Sequence, residues 1–385
     1  MSSHYDTIII GAGPAGMAAA ITLQKNGISN AVIDKSFFPR NKVCGGLVTY
    51  KTLETVIELT DTGATELISD VFCDTDRIIE LYFKNERLTC SEVDIPLYFV
   101  RREKFDFFLV KKHKENGGIL FEGEKNYTVD FENKTITLGN GEIITFNYLL
   151  IADGALSPNA KKLGIKRKNT GFCIEAHIPK GDVSYPGGVK IFFGIVKKGY
   201  AWCFPSGNDI CLGLGGVYSK STDYKSILDG LLKQLGADTE NTKYKGAFVP
   251  YGSSVDQSHC PDNVILLGDA AGFVDPIYGE GLFFALTSGM EAAGACISAV
   301  RSSDSLNAVY CKKTEFIVKT IKKGNRLKNI FFSHPVGFLF KRRIKNKDFF
   351  VRFYCDRQIS KYGYDYSRMI KLYSDYRKEK RLLKQ

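Results

Sequence analysis

Tyr5–Gly16 reads YDTIIIGAGPAG, and an alanine-rich stretch, Met17–Lys25 (MAAAITLQK), follows it. The apolar run predicts a short buried strand, the glycines a tight turn, and the alanines a helix. A second apolar run, Ala31–Ile33, ends in Asp34, 18 positions after Gly16. Strand, glycine turn, helix, strand and acid in this order form a dinucleotide-binding fingerprint. Gly11 permits the tight turn, and Gly13 lets backbone approach a pyrophosphate. The helix N-terminus then holds that group through its free N–H groups and dipole. Gly16 allows close packing of helix on strand, and Asp34 is positioned to accept hydrogen bonds from a ribose.

At 385 residues the chain has room for two or three domains, and 44% hydrophobic with 25% charged residues is an ordinary globular composition. Met1–Asp6 has neither a basic start nor an apolar core, so no signal peptide is expected. Gly281–Val300 is apolar but carries Glu291 near its middle, which fits a packed core helix better than a membrane span. The ten cysteines contain no CxxC pair, which points to free thiols in a reducing cytoplasm rather than a disulfide frame or a structural zinc site; no metal is expected. The net charge of +11 is concentrated in residues 311–385, which hold 22 Lys and Arg against 6 Asp and Glu.

Three nucleotide-domain segments are separated by insertions. The second begins near Tyr98, where VRREKFDFFLVKKHKENGGILF predicts a helix and then a strand. A hairpin turn at Gly139-Asn140-Gly141 leads to the strand Tyr148–Ala152, capped by Asp153-Gly154. The third is Asn263–Val300, with a strand, Gly268-Asp269 and a long helix. Alternating apolar patterns at Ile78–Phe83, Leu88–Ile95, Val189–Val196, Tyr200–Phe204 and Ile210–Val217 predict antiparallel strands. Gly213, Gly215 and Gly216 read as a strand with bulges. They lack the strand-turn-helix frame of a second nucleotide fingerprint.

Six motifs now coincide: GAGPAG at 11–16, PRNKVCGG at 39–46, RxxFD at 102–106, ADGALS at 152–157, YAWCFP at 200–205 and GDAAGFVDPIYGEGL at 268–282. On these the chain resembles the geranylgeranyl reductase family of flavoproteins, within the group sharing the para-hydroxybenzoate hydroxylase fold. The resemblance implies an α/β protein with a Rossmann-like FAD-binding domain (1–75, 98–165 and 255–300). It also implies an inserted antiparallel β-sheet substrate domain (76–97 and 166–254), and the basic composition beyond it predicts a helical C-terminal region (301–385). It further implies bound FAD and reduction of isoprenoid carbon–carbon double bonds. Electrons would come from NADPH docking transiently or from a ferredoxin-type protein.

The cofactor-binding residues expected on this basis are Gly11, Gly13, Pro14, Ala15, Gly16, Asp34, Lys35, Arg40, Cys44, Gly45, Arg101, Arg102, Asp153, Gly154, Gly268, Asp269, Pro276, Gly279, Gly281 and Leu282. Asp269 would bind the ribityl or pyrophosphate side. Arg102, together with Arg101, would reach the pyrophosphate as a fork donor. Gly279-Glu280-Gly281 would present backbone N–H groups to the flavin's anionic edge. The catalytic set is Cys44, Gly45 and Gly46, with the Cys44 thiol either donating a proton or tuning the site electrostatically. Tyr200, Trp202, Phe204 and Pro205 are the expected substrate-binding wall, the first three sharing one strand face.

In the tail, Asn325–Tyr354 mixes Phe331, Phe332, Phe338, Leu339, Phe340, Phe349 and Phe350 with Lys341, Arg342, Arg343, Lys345 and Lys347. This pattern suggests peripheral attachment to an anionic membrane surface, on the inner face, beside an isoprenoid-lipid substrate. No nucleic-acid recognition motif accompanies the charge, and nothing specifies an oligomeric state. Flavin monooxygenases and halogenases share the frame, and halogenases carry WxWxIP, from which Tyr200 and Phe204 depart. A non-catalytic FAD lipid carrier or redox sensor is the reading from another class.

Overall fold

The computed structural model describes residues 3–166, 170–252, 254–332 and 347–359, with isolated positions 371, 375 and 378. Two sheets organise the chain. The first has seven strands, with Ile119–Glu122, Asn30–Asp34, Ser3–Ile10 and Ile143–Ile151 running parallel in that order. Val264–Leu266 adds in parallel to the far end of Ile143–Ile151, while the short hairpin Thr128–Asp130 and Thr135–Thr137 covers its near end. Ile8, Ile9 and Ile10 of the central strand are buried, as a strand covered on both faces requires.

The helices Pro14–Lys25 and Leu282–Ser302 pack on one another over this sheet. Small residues make that approach possible: a Cβ on Gly289 would lie 2.1 Å from the Ala15 carbonyl oxygen. Leu282–Ser302 is long and apolar enough to cross a membrane by composition, but it packs largely into this core, and Glu291 pairs with Lys313 at 3.0 Å.

The second sheet has eight strands. Tyr244–Val249, Gly171–Pro179, Asp209–Val217, Gly199–Ser206 and Val189–Phe193 are followed by Phe72–Phe83, Glu86–Val100 and the two-residue Leu47–Val48. Its strands are antiparallel except where Val189–Phe193 joins Phe72–Phe83 in parallel. The expectation of bulges at Gly213–Gly216 is corrected: the register is unbroken against both neighbouring strands. These glycines instead provide clearance. A Cβ on Gly213 would meet the Trp202 ring at 2.4 Å, and one on Gly215 the Cys173 sulfur at 2.4 Å. The helix Lys347–Ile359 returns from the C-terminal region to pack on Glu86–Val100 and on the helix Tyr50–Thr60.

Candidate cofactor and substrate site

A cavity of about 670 Å³ lies between the two sheets, within the size range of small-molecule sites. One wall is the glycine turn. Gly11 sits at φ +105°, and a Cβ on it would be 2.4 Å from the Ala152 carbonyl oxygen. A Cβ on Gly16 would be 1.8 Å from the Gly11 oxygen. Both glycines therefore serve backbone packing and do not line the cavity. Gly13, Pro14 and Ala15 do line it. Gly13 caps the helix with no side-chain hydrogen bond, which leaves its first N–H groups open.

Charge gathers beside this turn. The buried Asp106 receives Arg102 through two hydrogen bonds, 2.7 and 2.9 Å, and Arg40 at 3.3 Å. Two guanidiniums share one carboxylate, which leaves positive charge next to Gly13. Burial works against the Arg102 charge, but Asp106 more than offsets it and raises its pKa. Lys42 and Asp269, 3.7 Å apart, face the cavity further along.

These groups fit the adenine-dinucleotide end of FAD. A Cβ on Gly13 would find only Arg40, 3.8 Å away, and one on Gly154 would find nothing within 4 Å, so both backbones front open space. Free helix N–H groups, a guanidinium pair and clear backbone are the donor set a pyrophosphate requires.

Several expected cofactor residues do not line the cavity. Asp34 is buried, and its carboxylate accepts from the N–H groups of Ala12 at 2.7 Å and Ser36 at 2.8 Å. Arg101 turns away to the Ser206 carbonyl, 3.0 Å, and to Asp209. Asp153 turns back to Asn159 at 2.8 Å, and burial pushes its carboxyl pKa up. Gly268 packs on Ala15, and Lys35 is exposed. Arg40, Pro276 and Pro205 are also outside the lining, Arg40 with its guanidinium 3.8 Å from where a Cβ on Gly13 would lie. Pro205 follows from strand alternation, since it points opposite to Phe204.

The opposite wall comes from the second sheet. Tyr200, Trp202 and Phe204 share one face and line the cavity, with Trp202 and Phe204 stacked at 6.3 Å. The turn Cys44-Gly45-Gly46 lies against them. A Cβ on Gly45 would be 2.9 Å from Trp202 Nε1 and 3.2 Å from Phe204. Gly46, at φ +85°, would place a Cβ 2.5 Å from the Val100 carbonyl oxygen. Gly45 thus lets the turn sit close against the aromatic wall, and Gly46 holds a backbone conformation and a close approach to Val100 that favour glycine. Ile79, Leu81, Leu97, Ile191 and Phe193 extend the apolar lining.

Gly279, Gly281 and Leu282 line the third side, together with residues that the sequence pattern did not single out. Glu280 accepts from Thr49 Oγ1 at 2.8 Å and pairs with Lys51 at 3.2 Å and Arg357 at 3.1 Å. Burial alone would raise the Glu280 pKa, but the two cations hold it below the ordinary carboxylate value. Burial pushes Lys51 down, with Glu280 opposing. Phe353, Tyr354, Arg357 and Gln358 bring the C-terminal helix to the cavity, and Gln358 accepts from the Tyr50 N–H at 2.8 Å. Glu175 and Cys173 line the β-sheet side. In the expected membrane-facing segment, residues 333–346 lie outside the described residues, as do the side chains of Phe331, Lys347, Phe349 and Phe350.

Comparison with known proteins agrees with this geometry. Residues 5–180 match the pyridine nucleotide-disulphide oxidoreductase family. The chain is 32% identical over 340 residues to an uncharacterized protein of Methanosarcina barkeri, covering 87% of this chain and 86% of that one. It is 29% identical to the digeranylgeranylglycerophospholipid reductase of Methanococcus aeolicus, with 79% of each chain covered. Among solved structures, a flavin-dependent brominase superposes with a TM-score of 0.73 at 19% identity, covering 98% of this chain and all of that one (100%), a likeness of fold. The chain belongs to the same family as the Methanosarcina protein, and its residues 5–180 carry the pyridine nucleotide-disulphide oxidoreductase match.

Proposed function

We propose that the protein saturates carbon–carbon double bonds of an isoprenoid chain. The observation that carries this reading is the apolar cavity walled by Trp202 and Phe204, with the Gly45 turn packed against them. It offers a long chain hydrophobic walls and aromatic faces on the same side as the Cys44 turn. The reductase from Methanococcus, similar over most of this chain, supports the isoprenoid class.

FAD, when bound, supplies a hydride carrier whose two-electron chemistry suits an alkene. The protein's residues do the rest. Arg40, Arg102 and the Gly13 turn hold the pyrophosphate. Trp202 and Phe204 hold the chain flat and exclude water, so alignment contributes much of the rate. The Arg357–Glu280–Lys51 cluster ties down the helix that closes the far end of the cavity. Electrons come from NADPH docking transiently or from a ferredoxin-type protein, and the basic tail attaches the protein to an anionic lipid surface from the cytoplasm.

Mass spectrometry of lipids from a deletion strain tests this reading. Accumulation of isoprenoid chains with extra double bonds, reversed by the intact gene, is the expected result. An unchanged lipid profile overturns it. Attachment is tested by liposome co-sedimentation: binding should need anionic lipid and fall when 325–385 is removed.

A further inference from the structure

Three carboxylates line the cavity: Asp269, Glu280 and Glu175. Asp269 faces Lys42, and Glu280 is paired with Lys51 and Arg357. Glu175 is 2% exposed, and among the described residues its ion-pair contact is His177, with Nε2 3.9 Å from Oε1. Its other contacts are to neutral donors. Oε1 accepts from the Cys44 backbone N–H at 3.1 Å, and Oε2 from the Cys211 thiol at 3.8 Å. Glu175 is thus a buried cavity carboxyl held by two neutral donors and a partly exposed imidazole, the setting of a group that can pass a proton on.

Strand geometry gives this residue a route to solvent. Cys173, Glu175 and His177 alternate onto one face of Gly171–Pro179. Cys173 and Glu175 line the cavity, while the His177 side chain is 32% exposed. The face therefore runs from cavity to water over three successive same-face residues.

We propose that Glu175 is the proton relay of the cavity, taking protons from solvent through His177 and releasing them on the side formed by Cys44, Gly45 and Trp202. The proposal rests on the double-bond reduction put forward above. Saturating one double bond adds a hydride to one carbon and a proton to the other. The electron pair arrives with the hydride from the reduced cofactor, which is oxidised by two electrons. The proton leaves the Glu175 carboxyl to form the second C–H bond, and the O–H electrons stay behind as carboxylate. That carboxylate regains a proton from water by way of His177.

The groups facing Glu175 are compatible with this role. Burial pushes the Cys173 thiol up to about 12 and the Cys211 thiol well above its ordinary value, so both stay protonated at neutral pH. Lys245, the register partner of Glu175 on Tyr244–Val249, has its Nζ 3.4 Å from Asn41 Oδ1. From the turn come Cys44 and Lys42, the latter near Asp269, with Arg102 held by Asp106.

The test uses photoreduced holoenzyme mixed anaerobically with geranylgeranyl diphosphate or digeranylgeranylglycerophospholipid over roughly pH 5–9. Glu175→Gln should retain flavin, slow reoxidation at least about tenfold and flatten the pH profile. Glu175→Asp should recover part of the rate, and added imidazole should restore His177→Gln. A Glu175→Gln rate close to wild type with an unchanged profile overturns the proposal. A second readout needs no turnover. Trp202, the chain's single tryptophan, lies across Gly213 from Glu175. Its emission in the substrate-free holoenzyme should show a pH-dependent step that Glu175→Gln abolishes; an identical step in the variant also overturns the relay. Wild-type enzyme that no isoprenoid reoxidises sinks the reductase reading and with it the alkene as proton acceptor, while the emission arm still decides whether Glu175 takes up and releases a proton in this cavity.

Discussion

The glycine turn and the aromatic wall face one cavity but are specified in different ways. At Gly11 and Gly16 the backbone itself sets the shape, since an added Cβ would fall 2.4 and 1.8 Å from backbone oxygens a few residues or one strand away. At Gly45, Gly213 and Gly215 the obstruction is a side chain from another element: Trp202 for the first two and Cys173 for the third. The first kind of constraint sets backbone against backbone and tolerates no change. The second couples distant segments and can be relieved in part by moving a ring.

The largest effect should come from the first kind. Gly16→Ala should give no folded flavoprotein, costing more than about 4 kcal/mol, because backbone meets backbone. Gly13→Ala has no such clash. It should fold with an unchanged melting temperature yet retain little FAD, as absorbance of the purified protein would show. Equal FAD retention by Gly13→Ala and wild type would break the distinction between shape and ligand contact.

On the substrate side, Trp202→Ala should cost about 3 kcal/mol by denaturant unfolding while leaving flavin bound. Gly45→Ala forces the turn away from the Trp202–Phe204 wall. It should cut turnover about tenfold or more with little loss of stability, since a displacement of this size disturbs alignment. Arg357→Met leaves Glu280 with Lys51 and Thr49, so the expected loss is about 2 kcal/mol, with faster proteolysis near 347–359.

The smallest effect concerns Lys328, buried over the Tyr251 ring at 4.6 Å. Burial, with Lys198 adding to it, pushes its pKa down to about 8. The unfolded value is about 10.4. Between these the unfolded chain holds more protons, so stability should rise with pH across that window and fall as pH drops toward 8. Lys328→Met should remove that slope in thermal melts from pH 8 to 10.

This contrast also explains what was legible in the sequence. Gly11-Ala12-Gly13-Pro14-Ala15-Gly16, the paired-sheet layout and the shared face of Tyr200, Trp202 and Phe204 follow from local spacing, and each can be read along the chain. Asp34 fits the fingerprint by position, yet its carboxylate is taken by the N–H groups of Ala12 and Ser36. Arg101 and Arg102 are adjacent, and only the packing of Asp209 and Asp106 separates their directions. Glu175 and Arg357 carry no local signal: a glutamate inside an alternating strand looks like a surface position until two sheets close over it. Glu280 lies in the GEG turn, so its burial between flanking glycines was the one available hint. The tail read as an aromatic and basic membrane-facing segment, but Phe353, Tyr354 and Arg357 at helical spacing line the cavity.

The central claim is that reduced flavin in this cavity passes its electrons to an isoprenoid double bond. Anaerobic stopped-flow absorbance of the photoreduced protein mixed with geranylgeranyl lipids measures that directly. Reoxidation of the flavin that depends on lipid, with the saturated chain recovered in proportion, is the expected result. Flavin that stays reduced with every isoprenoid and reoxidises only when oxygen is admitted contradicts the account and favours an oxygen-dependent reaction in the same fold.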